Sequence, residues 1–172
     1  MNFLQLLKQN GTLKTFAKNE HVFTQGETDK NLYFVQSGLI KAYYLSNEGK
    51  EFVKSFITTN DVIGSLTSLY ANDSCSFSLI CLEESHLVQL PFSVLESMSK
   101  EYHEVANNMV EVLLKFSMKK ERREYEFLCL SAEERYKLLK KNSPEIIEKV
   151  TQNDIAKYLG ITPVALSRIK NR

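Results

Sequence analysis

The chain has 172 residues, of which 43% are hydrophobic and 25% are charged, and its formal net charge at pH 7 is +1. These values are ordinary for a globular protein, and they exclude a disordered, highly charged chain. The length allows one large domain or two small ones with a proper hydrophobic core.

Charge is unevenly distributed between the two parts of the chain. Residues 1–114 contain 8 Lys and Arg against 13 Asp and Glu, whereas residues 115–172 contain 14 against 8. The resulting net charges of −5 and +6 sum to the +1 of the whole chain. An acidic front followed by a basic back favours a sensing region that precedes a polyanion-binding region.

Cysteine usage and the length of apolar runs indicate the compartment. Cys75, Cys81 and Cys129 are odd in number and far apart, which favours a reducing compartment over a disulfide framework. No apolar stretch approaches the roughly 18–20 residues of a membrane span. The first residues also lack the basic and apolar regions of a signal peptide. We therefore expect a cytoplasmic protein without a membrane partner.

The first predicted elements are a short helix and a series of strands. The helix covers residues 2–9 and ends at Asn10-Gly11. From about residue 12 to 92, short apolar and aromatic runs alternate with turn residues, which predicts an antiparallel β barrel or sandwich. The runs lie at residues 22–23, 32–35, 39–45, 52–57, 77–82 and 86–90.

Helices follow the strand region, one from about residue 92 and a longer one from about 101 to 129. The longer helix carries an apolar seam at three- to four-residue spacing, which packs either on the chain's own barrel or on the same helix of a second chain. We assign this seam to a homodimer interface. It comprises Val105, Met109, Val112 and Phe116.

A capping-box pattern opens the next helix. Ser131 and Glu134 have the spacing at which each side chain bonds the other's backbone N–H, and the helix they start runs to about residue 141. Residues 142–144 break it, and residues 145–150 are predicted to be a linker.

The last predicted elements are two short helices around a tight turn in residues 151–170. Ala156 is small where the helices cross, and Gly160 supplies the positive φ of the turn. Thr162 caps the second helix, and Pro163 suits its first position. The apolar core positions are Ile155, Leu159, Ile161, Leu166 and Ile169. This pattern is typical of a helix-turn-helix, with an ordinary helical hairpin as the alternative.

The order of barrel, long helix and helix-turn-helix resembles the Crp–Fnr family of bacterial transcription regulators. The segments that carry the resemblance are QGE (25–27), LYFVQSGLIKAYY (32–44), NEGKE (47–51), NDVIGS (60–65) and LGITPVALSRI (159–169). The short ending resembles the branch common in Bacteroidetes. The resemblance implies a mixed α and β fold. Residues 1–130 would form a jelly-roll-like double-stranded β-helix barrel with a dimerisation helix at about 101–129, and residues 131–172 a winged helix-turn-helix domain.

The same resemblance implies an effector pocket in the barrel. Members that bind cyclic AMP carry a Gly-Glu pair and, about ten residues on, an Arg-Ser pair. Gly64 and Ser76 match, whereas Ser65 replaces the glutamate that holds the ribose and Cys75 replaces the arginine that holds the phosphate. Together with Leu66 these residues are the candidate pocket. Because the charge-assisted bonds to phosphate are lost, we expect an effector other than cyclic AMP, or none.

DNA reading is implied for the second helix of the pair. The arginine and glutamate that family members carry in its first turn are replaced by Pro163 and Val164, while Arg168 is retained and suits guanine. The other polar residues are expected to hold phosphates. The candidate DNA-binding set is Thr151, Gln152, Thr162, Pro163, Val164, Ser167, Arg168 and Lys170. The implied partners are double-stranded DNA, a second copy of the chain and RNA polymerase.

Two other classes of protein compete with this interpretation. One is a small-ligand sensor that has lost DNA binding, and the other is a cupin-like enzyme. The sequence contains no Walker loop, no Gly-x-Ser-x-Gly and no His-Glu-x-x-His, and its three scattered histidines do not form a cupin metal motif. We therefore predict that the chain is not an enzyme and has no metal or cofactor.

Overall fold

The computed structural model describes residues 2–171. Helix α1 (Phe3–Asn10) is followed by strands that form two four-stranded antiparallel sheets. The strands are β1 (Thr12–Phe16), β2 (His21–Phe23), β3 (Asn31–Ser37), β4 (Ile40–Leu45), β5 (Glu51–Ile57), β6 (Val62–Ile63), β7 (Ser78–Cys81) and β8 (Ser85–Pro91). The sheet orders are β1-β8-β3-β6 and β2-β7-β4-β5. Because consecutive strands mostly alternate between the sheets, they form the predicted jelly-roll-like barrel, which is confirmed.

Six of these strands coincide with the predicted apolar runs, and β1 and β6 were missed. Strand β1 is almost wholly exposed and has no apolar face that a hydrophobicity pattern could detect. It is a strand because it pairs with β8 over five residues, from Thr12 opposite Gln89 to Phe16 opposite Ser85. Strand β6 is only two residues long and pairs with Tyr33 and Phe34.

The helices are α2 (Leu66–Leu69), α3 (Phe92–Glu101), α4 (His103–Cys129), α5 (Ala132–Asn142), α6 (Pro144–Lys149), α7 (Gln152–Leu159) and α8 (Pro163–Lys170). The predicted capping box before α5 is confirmed, since Glu134 N donates to Ser131 Oγ and Ser131 N donates to Glu134 Oε2. The predicted linker at 145–150 was wrong. Pro144 opens helix α6 there, and the burial of Ile146 holds this helix against its neighbours.

No wing accompanies the helix-turn-helix within residues 2–171, because all strands of that stretch lie before residue 92. Only Val150 and Thr151 separate α6 from α7, which leaves no room for a hairpin. The predicted domain boundary near residue 130 falls between the end of α4 and the start of α5. In the same stretch, no helix is both long enough and apolar enough to cross a membrane.

Two opposite faces of α4 have different surroundings. Val105 is fully buried, and Met109 packs in the same cluster as Leu90 and Leu95 of the chain's own barrel region. Val112 and Phe116 line a small apolar cavity with residues of α1, α2 and α3. This corrects the assignment of Val105, Met109, Val112 and Phe116 to a dimer interface: the seam packs within the chain, which was the alternative left open by the sequence. The opposite face exposes more than half of each of Val110, Leu114, Met118, Tyr125 and Leu128.

The helical domain packs on the barrel through a shared hydrophobic cluster. Leu39, Val53 and Phe56 of the barrel belong to the same buried cluster as the core of α5 to α8. The Phe56 ring lies 5.3 Å from the ring of Tyr158 on α7. The barrel therefore supplies one wall of the core that positions the helix-turn-helix.

Candidate functional site

Helices α7 and α8 form a compact helix-turn-helix whose local features match the sequence pattern. Gly160 adopts φ 70°, and a Cβ there would lie 2.9 Å from the Phe127 ring. Ala165 N donates to Thr162 Oγ1 over 3.2 Å, and Pro163 occupies the first turn. Both the positive φ and the cap were predicted, and both are confirmed. The residues buried between the helices are Ile155, Ala156, Leu159 and Leu166.

One face of α8 is presented to solvent. Pro163, Val164, Ser167 and Arg168 are exposed, and the exposed fraction of Val164 is 62%. Val164 and Arg168 are four residues apart, so they lie one above the other on this face. An exposed apolar side chain beside an exposed guanidinium is suited to contact with base edges rather than to packing in a core.

Four of the predicted phosphate-binding residues already have partners within the domain. Thr151 Oγ1 caps α7 by accepting from Asp154 N, and it donates to the Asp154 carboxylate over 2.9 Å. Lys170 Nζ donates to Gln152 Oε1 over 2.9 Å, which ties the end of α8 to the start of α7. The Lys170–Gln152 bond therefore holds the two helices together, whereas Thr151 and Thr162 each cap the start of one helix.

A buried ion cluster joins the helix-turn-helix to the barrel. Lys41 on β4 donates to Asp154 on α7 over 2.9 Å and to Glu51 on β5 over 2.8 Å, and both Lys41 and Asp154 are only 8% exposed. Burial opposes the charged lysine, but the hydrogen bonds to Glu51 and Asp154 outweigh it and raise the pKa of Lys41. Lys157 adds a further contact to Glu51 at 3.4 Å. This cluster could not be predicted from the sequence, because Lys41 and Asp154 are 113 residues apart along the chain.

Arg123 on α4 forms a second polar link between the same two regions. Its Nη2 donates to Val53 O on β5 over 3.0 Å and to Tyr158 O on α7 over 2.9 Å. Its guanidinium carbon also lies 4.0 Å from the centroid of the Tyr158 ring. One side chain thus holds barrel, long helix and helix-turn-helix together, and within the sequence it was only one charge in a charged run.

The candidate effector pocket is only partly assembled. Ser76 N donates to Ser65 Oγ over 3.3 Å, and a Cβ at Gly64 would lie 2.9 Å from Leu32 and Leu69. Leu66 stands apart, since it is 45% exposed at the start of α2. Four of the five predicted residues therefore lie in or beside one hydrogen-bonded loop.

Cys75 lies where the resemblance places the phosphate-binding arginine, and its side chain is buried. It belongs to the barrel core together with Phe23, Tyr33 and Phe77, and the rings of Phe23 and Phe77 lie 5.2 Å apart. Its backbone N–H donates to Glu27 O over 2.7 Å. Packed aromatic side chains thus surround the position of the expected phosphate clamp.

Comparison with known proteins identifies the family. A family model described as "Cyclic nucleotide-binding domain" matches residues 13–102. Electron transport regulator A from Shewanella oneidensis is 27% identical over 170 residues, covering 92% of this chain and 67% of the relative. Anaerobic regulatory protein from Pasteurella multocida is 28% identical over 171 residues, covering 92% and 62%. The chain therefore spans about two thirds of the length of these relatives.

The fold is shared with solved structures. A transcriptional regulator of the crp/fnr family from Eubacterium rectale superposes with a TM-score of 0.77 at 19% identity, covering 99% of this chain and 82% of that one. Matches to regulators confirm the prediction that the chain is not an enzyme. The chain belongs to the cyclic nucleotide-binding domain family and, within it, to the Crp–Fnr family of transcription regulators.

Proposed function

We propose that the chain acts in the cytoplasm as a homodimeric, sequence-specific DNA-binding regulator of transcription whose effector is not cyclic AMP. The observation that carries this proposal is the exposed face of α8, where Val164 and Arg168 project from a helix whose opposite side is buried against α7. RNA polymerase is proposed as a further partner, on the strength of family membership alone. The comparisons do not favour the alternative of a sensor without DNA binding.

The exposed face of α8 suggests how bases are read. The Arg168 guanidinium can donate two hydrogen bonds to O6 and N7 of a guanine in the major groove. Val164, one turn earlier, can contact the C5 methyl of a neighbouring thymine. Ser167 lies beside this pair and would hold a phosphate, which sets the register of the helix. Lys170, which is bonded to Gln152, holds the end of α8 against α7 instead.

Dimerisation is proposed through the exposed apolar face of α4. Its members recur every three to seven residues along the outer side of the helix, which is the pattern of a coiled-coil seam. They are Val110, Leu114, Met118, Tyr125 and Leu128. We expect Leu114→Glu to give monomers in sedimentation velocity, whereas Lys115→Glu, next to it but outside the stripe, should stay dimeric. A Leu114→Glu dimer would place the interface elsewhere.

The effector part of the proposal depends on Ser65 and Cys75. Neither can supply the carboxylate or the guanidinium that cyclic AMP requires, so titration with cyclic AMP should give no saturable heat. Micromolar binding would show that this barrel holds the nucleotide by other groups.

Selection of bound DNA from a random library tests the central claim. A two-fold symmetric consensus is expected, since a dimer presents two recognition helices. Arg168→Ala should relax the preference for one guanine by about 1–3 kcal/mol. Replacing one thymine of the site by deoxyuridine removes only the methyl group of that base. This replacement should weaken DNA binding by the wild type but not by the Val164→Ala variant. Failure to enrich any sequence would favour the sensor without DNA binding.

A further inference from the structure

A cleft of about 230 Å³ lies where the barrel, α4 and the helical domain meet. The barrel contributes Phe56 and Asp61, α4 contributes Arg123, and α5 and α7 contribute Arg135 and Tyr158. This cleft is separate from the candidate effector pocket around Ser65 and Cys75, because none of the residues of that pocket lines the cleft. Its walls come from both regions whose relative position matters for DNA binding.

Two guanidinium groups flank one aromatic ring in this cleft. The guanidinium carbons of Arg123 and Arg135 each lie 4.7 Å from the centroid of the Phe127 ring. Both side chains are half-buried, and burial lowers the pKa of Arg123. Their hydrogen bonds go to backbone carbonyls, including Leu130 O and Leu159 O for Arg135. Among residues 2–171, neither guanidinium has a carboxylate within ion-pair distance.

Arg135, which lines the cleft, has one donor without a partner among residues 2–171. The Nε of Arg135 is buried, and within the described chain it forms no hydrogen bond. Buried N–H groups of charged side chains are normally satisfied, so the positive charge of Arg135 is left without an anionic partner among residues 2–171. The fork of a guanidinium suits a carboxylate or phosphate oxygen.

The remaining charges of the cleft also favour an anion. Arg122 and Lys119 add two cationic groups, and Arg122 is exposed. The acidic lining consists of Asp61, Glu126 and Glu145. Asp61 is already engaged, since it accepts from Thr58 N over 3.0 Å and lies 3.6 Å from Lys119. With Lys119 and Asp61 paired to each other, three arginine side chains face Glu126 and Glu145, and the cleft keeps a net charge of +1.

Size and apolar lining define the rest of the ligand. The rings of Phe56, Phe127 and Tyr158 and the side chains of Leu138 and Leu139 give the cleft its apolar lining. The volume is below the roughly 300 Å³ at which drug-sized pockets begin. We propose that this cleft binds a small organic anion, with a flat apolar body and one carboxylate or phosphate group, as the effector of the protein. The proposal deepens the proposed function, because it names the ligand class that the regulator senses.

The location gives such a ligand a direct effect on the helix-turn-helix. A molecule that contacts β5 on one side and α5 and α7 on the other stabilises this arrangement of the two regions over any in which they separate. The anion therefore changes the orientation of α8 by differential binding, without entering the barrel interior.

Calorimetric titration of the purified chain tests the site. The probes are benzoate and phenyl phosphate, with benzyl alcohol as the neutral analogue and inorganic phosphate as the anion without an apolar body. We expect saturable binding of benzoate or phenyl phosphate, and binding at least about tenfold weaker for the other two probes. The preferred charged probe tells carboxylate from phosphate recognition.

Variants on α4 assign the binding to the cleft. Arg122→Gln removes an exposed cleft cation that has no hydrogen bond or ion pair within residues 2–171, and it should weaken binding of the charged probe about fivefold or more. Arg123→Gln should weaken it further. Lys115→Gln, which removes an exposed cation of the same helix outside the cleft, should leave it unchanged.

The proposal is overturned if neither charged aryl probe binds, if benzyl alcohol binds equally well, or if Arg122→Gln and Arg123→Gln bind like the wild type. DNA selection without any probe is run in parallel. If a palindrome is selected but no anion binds, only the proposal of a cleft ligand is refuted. If an anion binds but no DNA sequence is selected, only the proposed DNA-binding function is refuted.

Discussion

The barrel and the helical domain differ in how they complete their hydrophobic cores. The core inside the barrel is built from strands and their loops, with Val35, Leu79 and Leu87 fully buried. The core of the helical domain includes Val53 and Phe56, which belong to strand β5. Among residues 2–171, the core inside the barrel thus contains no residue of the helical domain, whereas the core of the helical domain includes barrel residues.

Polar contacts show the same asymmetry. Asp154 and Tyr158 of α7 are joined to Lys41 and to Arg123, which lie outside the helical domain. Buried apolar contacts and charged hydrogen bonds therefore meet in one contact region, in which Lys41, Val53, Phe56 and Arg123 face Asp154 and Tyr158 of α7. We call this region the joint. Because β5 packs directly on α7, a structural change in β5 alters the position of α7 without an intermediate element. The position of the recognition helix therefore depends on the barrel, whereas the turn and caps that give the helix its shape are local.

The largest expected effect follows from removing the barrel's ring from the shared core. Phe56→Ala should lower the free energy of unfolding by about 3–5 kcal/mol, because it leaves a cavity against Tyr158. Urea denaturation measures the loss. Hydrogen exchange should show that α7 amides are less protected while those of β3 and β8 are spared.

Leu79→Ala is the matched control, since Leu79 is fully buried in the core that belongs to the barrel alone. It should cost about 2–5 kcal/mol but expose β4 and β7 first. If the two variants give the same exchange pattern, the two cores are one cooperative unit and the asymmetry does not exist.

A smaller effect is expected from the buried ion cluster. Asp154→Ala leaves Lys41 with Glu51 as its remaining carboxylate partner and removes the acceptor of Thr151. We expect a loss of about 2–3 kcal/mol in the free energy of unfolding, measured by urea denaturation. Glu96→Ala breaks the exposed pair with Lys100 and should cost less than about 0.5 kcal/mol. Equal losses would mean that the joint is held by apolar contacts only.

Much of the helix-turn-helix could be predicted because its signals are local. The φ of Gly160, the cap at Thr162 and the box at Ser131 each depend on residues within one turn, so neighbouring letters are sufficient. Six of the barrel strands could be predicted for a similar reason, because each is a short apolar run bounded by turn residues. Strand β1 was not predicted because its pairing with β8, and not its own composition, makes it a strand.

The joint between the regions could not be predicted, because its contacts are not periodic in sequence. The apolar seam of α4 was found from its spacing, but spacing does not say whether Val105 meets its own barrel or a second chain. Lys41 and Asp154 look like ordinary polar residues until the fold places them 2.9 Å apart. The vacant Nε of Arg135 likewise depends on helices whose packing no single segment determines.

The smallest expected effect concerns a charge on the barrel side of the joint. Lys54 of β5 lies with its Nζ 4.6 Å from the centroid of the Phe77 ring. Burial lowers its pKa to about 8, and the nearby charges of Lys120, Lys119 and Arg123 on α4 lower it in the same direction. A lysine whose pKa falls on folding favours the unfolded state wherever it is protonated.

Lys54→Met should therefore raise the free energy of unfolding at pH 7, by about 1 kcal/mol once partial exposure is allowed for. The unfolded lysine holds its proton up to its ordinary pKa of 10.5, while the folded one releases it near 8. The wild type should thus gain stability between these values, and the variant's advantage should shrink. Urea denaturation at pH 7, 8 and 9.5 measures the difference in free energy of unfolding between variant and wild type, with Lys115→Met on the exposed side of α4 as the control.

If this difference does not change with pH, Lys54 destabilises the fold through its packing and not through its charge. In that case the shape of the side chain at position 54, and not its charge, sets the stability on the barrel side of the joint.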